Sequence, residues 1–350
     1  MAITRTSERG QPIVKPTRTA RDSDAFEQQL RPQKLSEYVG QSAIKGHLIV
    51  HMSAARQRTE PLGHTLLHGP PGLGKTTLAH IIAREMSAQI RITSGPAIEK
   101  PGDLASLLTN LAEGDVLFID EIHRMRPAIE EVLYSAMEEY ALDLVIGKGP
   151  TARSMRLELK PFTLVGATTK AGSISAPLRD RFVHQFRLAF YTPVEMEQIV
   201  ERTARILAVE CEAGVAQSIA GCARATPRIA NRLVRAVRDF AQVAGEKRVT
   251  AARVHETLQS LGVDERGLDA LDRQILRTII EKFGGGPVGL STIAAATSEE
   301  EQTIEDMYEP YLLQQGYLQR TPKGRTVTKS AFDLLGLKVP ESVQKQMFAQ

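Results

Sequence analysis

The stretch HGPPGLGKTT, residues 68–77, holds the residue types that grip a nucleoside triphosphate. Gly69, Gly74, Lys75 and Thr76 fit the pattern G-x-x-x-x-G-K-[ST], with Gly72 inside it and Thr77 beyond it. Glycines let backbone N–H groups converge on phosphate oxygens, Lys75 brings a positive charge, and Thr76 offers a hydroxyl to Mg²⁺. A second feature is DVLFIDEIH (115–123), a buried-type strand that ends in two carboxylates. At the carboxyl end of such a strand, beside a phosphate loop, Asp120 is placed to hold Mg²⁺ through water and Glu121 to orient and polarise an attacking water. FTLVGATT (162–169) ends in hydroxyls. Thr169 reads either as a hydrogen-bond partner of that water or of the γ-phosphate, or as a turn residue. APLRDRF (176–182) supplies Arg179, a solvated or interface residue, and Arg181, a candidate arginine finger for a neighbouring subunit. TPRIANRL (226–233) opens a helix with Thr226, Pro227 and Arg228, which aims Arg228 at an anion.

The elements that must hold these groups are legible in the hydropathy pattern. Before the loop, HTLLH (64–68) reads as a short strand, and after it TTLAHIIAREM (76–86) has helical apolar spacing. Further strands are expected at 90–93, 115–120, 162–168 and 184–188, separated by helices. That is the signature of an α/β fold with a parallel sheet covered on both faces. Residues 193–260 change to four amphipathic helices, a small helical domain. After GVDERG (262–267), a helix over 269–283, the breaker GGGP and two short helical segments lead to two short strands around TPKG (321–324), the outline of a winged helix. The expected divisions are a basic tail at 1–21, a large ATPase domain at 22–189, a helical lid at 190–263, a winged helix at 264–340 and a short tail at 341–350.

Composition bounds the function classes. The 350 residues suit two or three domains of roughly 150 residues each. No apolar run approaches the roughly 18 residues of a membrane helix, and the polar N-terminus lacks a secretory core, so a soluble, cytoplasmic protein without a membrane partner is expected. The first 21 residues are Arg-rich, as a transit peptide is, but read more simply as a disordered tail. They carry five cations against Glu8, so the net charge of +3 leaves the remainder at −1. Any nucleic-acid contact must therefore rest on a local patch. Cys211 and Cys222, eleven apart in an expected helical region, read as buried thiols that share a face. His47 and His51 have zinc-helix spacing, but HLIVH lacks the protease glutamate, and both read as structural.

Two segments point to macromolecular contacts. The insertion 141–159 reads as a hairpin with one apolar face: Leu142, Leu144 and Ile146 on one arm, Met155, Leu157 and Leu159 on the other. By physics alone that face either packs on its own domain or docks a partner. Residues 316–329 contain Arg320, Lys323, Arg325 and Lys329 and no acid. Such a run is usually a solvated face. On the hairpin of a winged helix it reads as a DNA contact, to phosphates rather than bases.

GPPGLGKT, LFIDEIH, GATT, LRDRF and TPRIANRL together resemble the AAA+ ATPases and, more narrowly, the RuvB family of bacterial Holliday-junction branch-migration motors. The resemblance runs over about residues 22–340. It implies an AAA+ P-loop sheet with a helical lid and a C-terminal winged helix, hydrolysis of ATP with Mg²⁺, and translocation of duplex DNA at four-way junctions in recombination and repair. It further implies a hexameric ring and partnership with the junction-recognition protein RuvA and with the resolvase RuvC. RPQKLSEYVGQ (31–41) fits the segment in which Arg31, Pro32, Tyr38 and Val39 border the adenine, a pocket that Tyr191 would close. By the same resemblance Thr169 becomes sensor 1, Arg181 a finger acting in trans, Arg228 sensor 2, and Met155 and Leu157 lie near the RuvA contact. Val183 departs from the family, which has Gly after LRDRF. Rival uses of the fold are clamp loading, initiator assembly and a regulator for which ATP is only a binding switch. Glu121 argues against the last.

Overall fold

VLFID and TLVGAT are apolar almost throughout and suit strands buried on both faces, whereas IRITS and HQFR mix polar and apolar positions and suit edges. A computed structural model, which describes residues 29–146 and 153–339, bears this out. The chain divides into a unit Met1–Arg31, which ends at the partly buried Arg31, and a unit Pro32–Gln350, to which all that follows belongs. The tails at 1–21 and 341–350 and the Gly-Pro turn of the insertion lie outside the described residues.

Helix α1 (Ser42–Arg58) leads to β1 (Thr65–His68), α2 (Lys75–Glu85), β2 (Ile90–Ser94), α3 (Pro101–Thr109), β3 (Val116–Asp120) and α4 (Pro127–Glu139). An antiparallel hairpin, β4 (Ala141–Ile146) and β5 (Arg153–Glu158), follows, then β6 (Thr163–Thr168), α5 (Ala176–Asp180) and β7 (His184–Arg187). The sheet has the order β2-β3-β6-β1-β7, and every pairing in it is parallel. β6 is buried along its whole length and β3 as far as Asp120, while β2 and β7 are the partly exposed edges. This order brings the carboxyl ends of β1, β6 and β3 side by side, where an open α/β sheet binds its ligands.

The lid comprises α6 (Pro193–Ile206), α7 (Val215–Gly221), α8 (Pro227–Val243) and α9 (Ala251–Ser260). Thr192 and Glu195 form a reciprocal capping box at the start of α6. α8 buries Ala230, Leu233, Val234, Val237 and Ala241, the i, i+3, i+4, i+7 stripe of an amphipathic helix. These side chains belong to the same continuous core as Leu67 of β1 and Phe118 of β3, so the lid and the sheet share one core. Cys211 is not helical but bridges Val249, and the left-handed Gly214 separates it from α7. The two cysteines therefore share no helix face, contrary to expectation; both are free thiols, and Cys222 is buried.

The third domain has its own core. It comprises α10 (Ala270–Phe283), α11 (Leu290–Thr297), a helical run that passes through a π turn (Ile304–Tyr308) into α12 (Glu309–Gln314), the hairpin β8 (Leu318–Thr321) and β9 (Gly324–Val327), and α13 (Lys329–Leu335). Val288 bridges Arg325 and adds a third short strand to the hairpin, which completes a winged helix. No helix among the described residues is long and apolar enough to cross a membrane.

Candidate functional site

The phosphate loop leaves β1 at His68 and enters α2 at Lys75, as the motif requires. Gly69 N–H donates to the Thr168 carbonyl over 3.2 Å, which ties the loop to the end of β6. Gly74 has φ +96°, and a Cβ there would meet the Tyr38 hydroxyl at 2.7 Å; only glycine satisfies both conditions. A Cβ on Gly72 would lie 3.3 Å from Cβ of Arg228 and 3.5 Å from Cβ of Thr226, so the amino terminus of lid helix α8 abuts the loop. Beneath the loop the phenol oxygens of Tyr38 and Tyr191 lie 3.0 Å apart, and each lies 3.1 Å from the Leu73 carbonyl, so the two hydroxyl protons are shared among these three oxygens. Both rings are buried, which pushes their hydroxyls above the usual phenol range. Tyr38 and Tyr191 thus brace the loop backbone, and the half-buried Val39 follows Tyr38 in the chain.

Lys75 is buried, with Nζ donating to the carbonyls of Gly69 at 2.8 Å and Pro70 at 2.9 Å. Burial pulls its pKa down to about 8, assisted by Arg228 and opposed by Asp120 and Glu121. Asp120 closes β3, and its Oδ1 accepts the Glu121 N–H at 2.9 Å. Glu121 sits in the left-handed region with φ 49°, a strained backbone of the kind that collects at functional sites. Burial raises its pKa, as do Asp120 and Asp306, against Lys75 and Arg124. Thr76 and Thr77 occupy the first turn of α2, half-buried. Among the described residues no three His, Cys, Asp or Glu side chains converge as a metal site of their own; the rings of His51 and His184 simply pack, centroids 4.0 Å apart.

At the end of β6, Thr169 is half-buried just past the strand, but the hydroxyl tied into the site is that of its neighbour Thr168. Thr168 Oγ1 lies 2.9 Å from Nδ1 of His123 and accepts the Lys170 N–H at 2.9 Å. His123 Nε2 in turn faces Glu121 Oε2 at 3.5 Å. Burial lowers the His123 pKa, with Lys170 and Arg124 acting in the same direction. Lys170 Nζ reaches into the winged helix, to Glu305 at 2.7 Å and Asp306 at 3.4 Å, both on the π turn. His123, Thr168, Lys170, Glu305 and Asp306 are the site residues that sequence reasoning missed. For His123 a signal existed in the last letter of DEIH; for the acids of the third domain none did.

Arg181 follows α5 and is engaged by residues of α4 and α5. It pairs with Glu138 at 2.7 Å, donates to the Pro177 carbonyl at 2.9 Å, and lies over the Tyr134 ring at 5.0 Å. Val183, two residues on, is 71% exposed. In the hairpin, Leu142 pairs with Leu157 and Leu144 with Met155. Leu142 and Leu159 are buried in the core of the large domain and Leu157 packs partly on it, whereas Met155 is 41% exposed. The apolar face thus serves its own domain at the base and is open at Met155.

The wing departs most from its sequence. Glu309, at the start of α12 and 1% exposed, accepts from Arg320 at 2.7 and 2.8 Å and from Arg325 at 3.0 and 3.1 Å. Arg320 also lies 3.4 Å from Glu305. Burial alone would raise the Glu309 pKa; the two guanidinium groups outweigh it and hold the carboxyl below its usual value. Lys323 and Lys329 are exposed and make no ion pair among the described residues.

Family models match three consecutive parts of the chain. They are the Holliday junction DNA helicase RuvB P-loop domain over residues 30–188, the RuvB AAA lid domain over 191–264 and the RuvB C-terminal winged helix domain over 265–336. The chain belongs to the RuvB family. Among similar solved structures is the Thermotoga maritima RuvB Holliday junction branch migration motor, 49% identical, with TM-score 0.82 over 89% of this chain and 100% of that one. Two mutants of Thermotoga maritima RuvB match at 49% identity and TM-score 0.83, over 89% of this chain and 99% and 100% of theirs. As a RuvB-family P-loop ATPase the chain binds nucleotide.

Proposed function

We propose that this RuvB-family chain is an ATP-hydrolysing motor that drives branch migration of Holliday junctions by translocating duplex DNA. The observation that carries the reading is the meeting of Lys75, Asp120, Glu121 and lid residue Arg228 around one loop, in a chain that also bears a winged helix. Lys75 exchanges loop carbonyls for the β- and γ-phosphates of ATP, and Arg228 meets the γ-phosphate from the lid. Glu121 orients a water for in-line attack on the γ-phosphorus and takes its proton as the bond to the β-phosphate oxygen breaks. Thr169 hydrogen-bonds that water or the γ-phosphate. Mg²⁺ would be held by the Thr76 hydroxyl and by Asp120 through water, and would supply positive charge to the phosphate oxygens. Pro32, Tyr38, Val39 and Tyr191 border the adenine, with Arg31 preceding them in the chain.

Arg181 completes the site of a neighbouring subunit in a ring, a hexamer in our reading. Hydrolysis at each interface moves the lid relative to the sheet, and the wing carries the DNA backbone through Lys323, Arg320 and Arg325. Met155 and Leu157 dock RuvA, RuvC joins the same assembly, and the protein works in the cytoplasm. The test is dissociation of a synthetic four-way junction with ATP, Mg²⁺ and RuvA by the parent chain and by Glu121→Gln. The parent is expected to dissociate the junction, and the variant to bind ATP without turnover and leave the junction intact. A parent that hydrolyses ATP but never dissociates the junction would overturn the motor reading.

A further inference from the structure

Glu121 works as a base only if its carboxylate points at the attacking water, yet its backbone is strained and its side chain is 36% exposed. One group fixes it from within. His123 is 7% exposed and touches Glu121 through Nε2 and Thr168 through Nδ1. We propose that His123 is a positioning residue for Glu121, and that Thr168 sets the imidazole tautomer this task requires. The proposal rests on the reading of Glu121 as the hydrolytic base.

The contacts on both ring nitrogens fit one tautomer. Thr168 Oγ1 accepts the Lys170 N–H and lies 2.9 Å from His123 Nδ1, to which it can donate its own hydroxyl proton. A neutral imidazole that accepts at Nδ1 carries its proton on Nε2, which is the nitrogen facing Glu121 Oε2 at 3.5 Å. That distance is a dipole contact rather than a full hydrogen bond, and a small rotation of the glutamate closes it. Backbone, Thr168, His123 and Glu121 thus form a chain in which each member orients the next. It starts from the end of β6, the strand whose last carbonyl also holds Gly69 of the phosphate loop. A base and a phosphate loop referred to the same strand end keep their mutual geometry, and small misplacements of a catalytic group are costly in rate.

Two substitutions at His123 separate positioning from packing. In His123→Gln the amide nitrogen falls near the place of Nε2, and in His123→Asn it falls near that of Nδ1. The full-length chain is assayed for steady-state ATPase, for affinity towards a fluorescent ATP analogue and for thermal melting. His123→Asn and Thr168→Val are each expected to lower kcat about tenfold, the rate equivalent of roughly one hydrogen bond. Nucleotide affinity stays within about twofold of the parent, and His123→Gln keeps most of the rate. The double variant His123→Asn with Thr168→Val falls no further than the worse single one, because both act through the same contact. Parent-like kcat in His123→Asn, equal losses in Gln and Asn, or additive losses in the double variant each overturn the proposal. If His123 variants melt early, the near-isosteric Thr168→Val decides alone. Glu121→Gln runs beside them: normal turnover there removes the base reading itself, whereas a dead Glu121→Gln beside a fully active His123→Asn removes only the role of His123.

Discussion

The phosphate loop and the wing are both cationic, and they hold their charge in opposite ways. Lys75 is buried against two neutral carbonyls, with Asp120 and Glu121 acting on it only from a distance. The wing arginines are clamped on a buried carboxylate, Glu309. A cation on carbonyls is desolvated and underpaid in partners, so it stands ready for a phosphate but lowers the stability of the fold. A cation on a buried carboxylate is a structural group first, and only its outward N–H groups remain for a ligand. The exposure of the two arginines grades this: Arg320 keeps half of its side chain in solvent and Arg325 only 17%. The contrast shows that cationic residues adjacent in sequence do not carry equal functional weight.

Lys75→Ala is the hardest test of the first half of the comparison. Loss of a charge-assisted contact to phosphate is expected to abolish turnover and weaken nucleotide binding about a hundredfold, measured by equilibrium titration. The same substitution should leave the melting temperature unchanged or raised, because a buried amine is removed. The pH dependence has a definite sign. The folded pKa of Lys75 is depressed to about 8 from 10.5, so its cost to stability is present in full below pH 8 and fades as pH rises towards 10.5. A clear fall in the melting temperature of Lys75→Ala would mean that the lysine holds the loop together, and the contrast with the wing would fail.

Arg325→Ala tests the other half and should move stability more than DNA affinity, because most of the Arg325 side chain is turned onto Glu309. It leaves Glu309 buried with one guanidinium in place of two, an expected loss of about 2 kcal/mol, below the roughly 3–5 of a buried charge stripped of its sole partner. Because the Glu309 pKa is held below its ordinary 4.5, its contribution is complete above that value and is lost as pH falls below it. Denaturant melts of parent and variant at pH 7 and at low pH, where the difference should shrink, check both points. A variant of parent stability that binds duplex DNA poorly would make Arg325 a phosphate ligand like any other.

The smallest effect is expected at Lys323, exposed and without a partner among the described residues. Lys323→Ala should flatten the dependence of log affinity on log salt by about 0.9, one phosphate on duplex DNA, with no change in melting temperature and equally on unrelated sequences. Arg320→Ala should flatten it by less, since Glu309 and Glu305 share its charge. Equal changes in slope at the two positions would erase the distinction between a clamped and a free cation.

The nucleotide loop was legible because its geometry is local: a strand, glycines at fixed offsets and a lysine at a helix start lie within ten residues, and backbone conformation alone joins them. The carboxylates of β3 and the order of the three domains were legible for the same reason, from short apolar runs and helical periods. Spacing also suggested that Cys211 and Cys222 share a helix face, and there it misled, because Cys211 lies in an extended bridge to Val249 ahead of the helix that Gly214 opens. Pairings between distant segments had no local signature. Tyr38 meets Tyr191 across 153 positions, and Lys170 meets Glu305 across 135.

The sequence by itself determined which chemical groups exist here and which of them a single strand, turn or helix must bring together. Tertiary structure alone decided that β6 lies between β3 and β1, that a histidine stands between Thr168 and Glu121, and that one acid of α12 pairs with two arginines of a wing read as free of acids. The reason is physical. Periodicity and turn chemistry act over a few residues, whereas the partner of a buried charge is chosen by how separate elements pack, and a charge taken out of water is stable only with whatever partner that packing supplies.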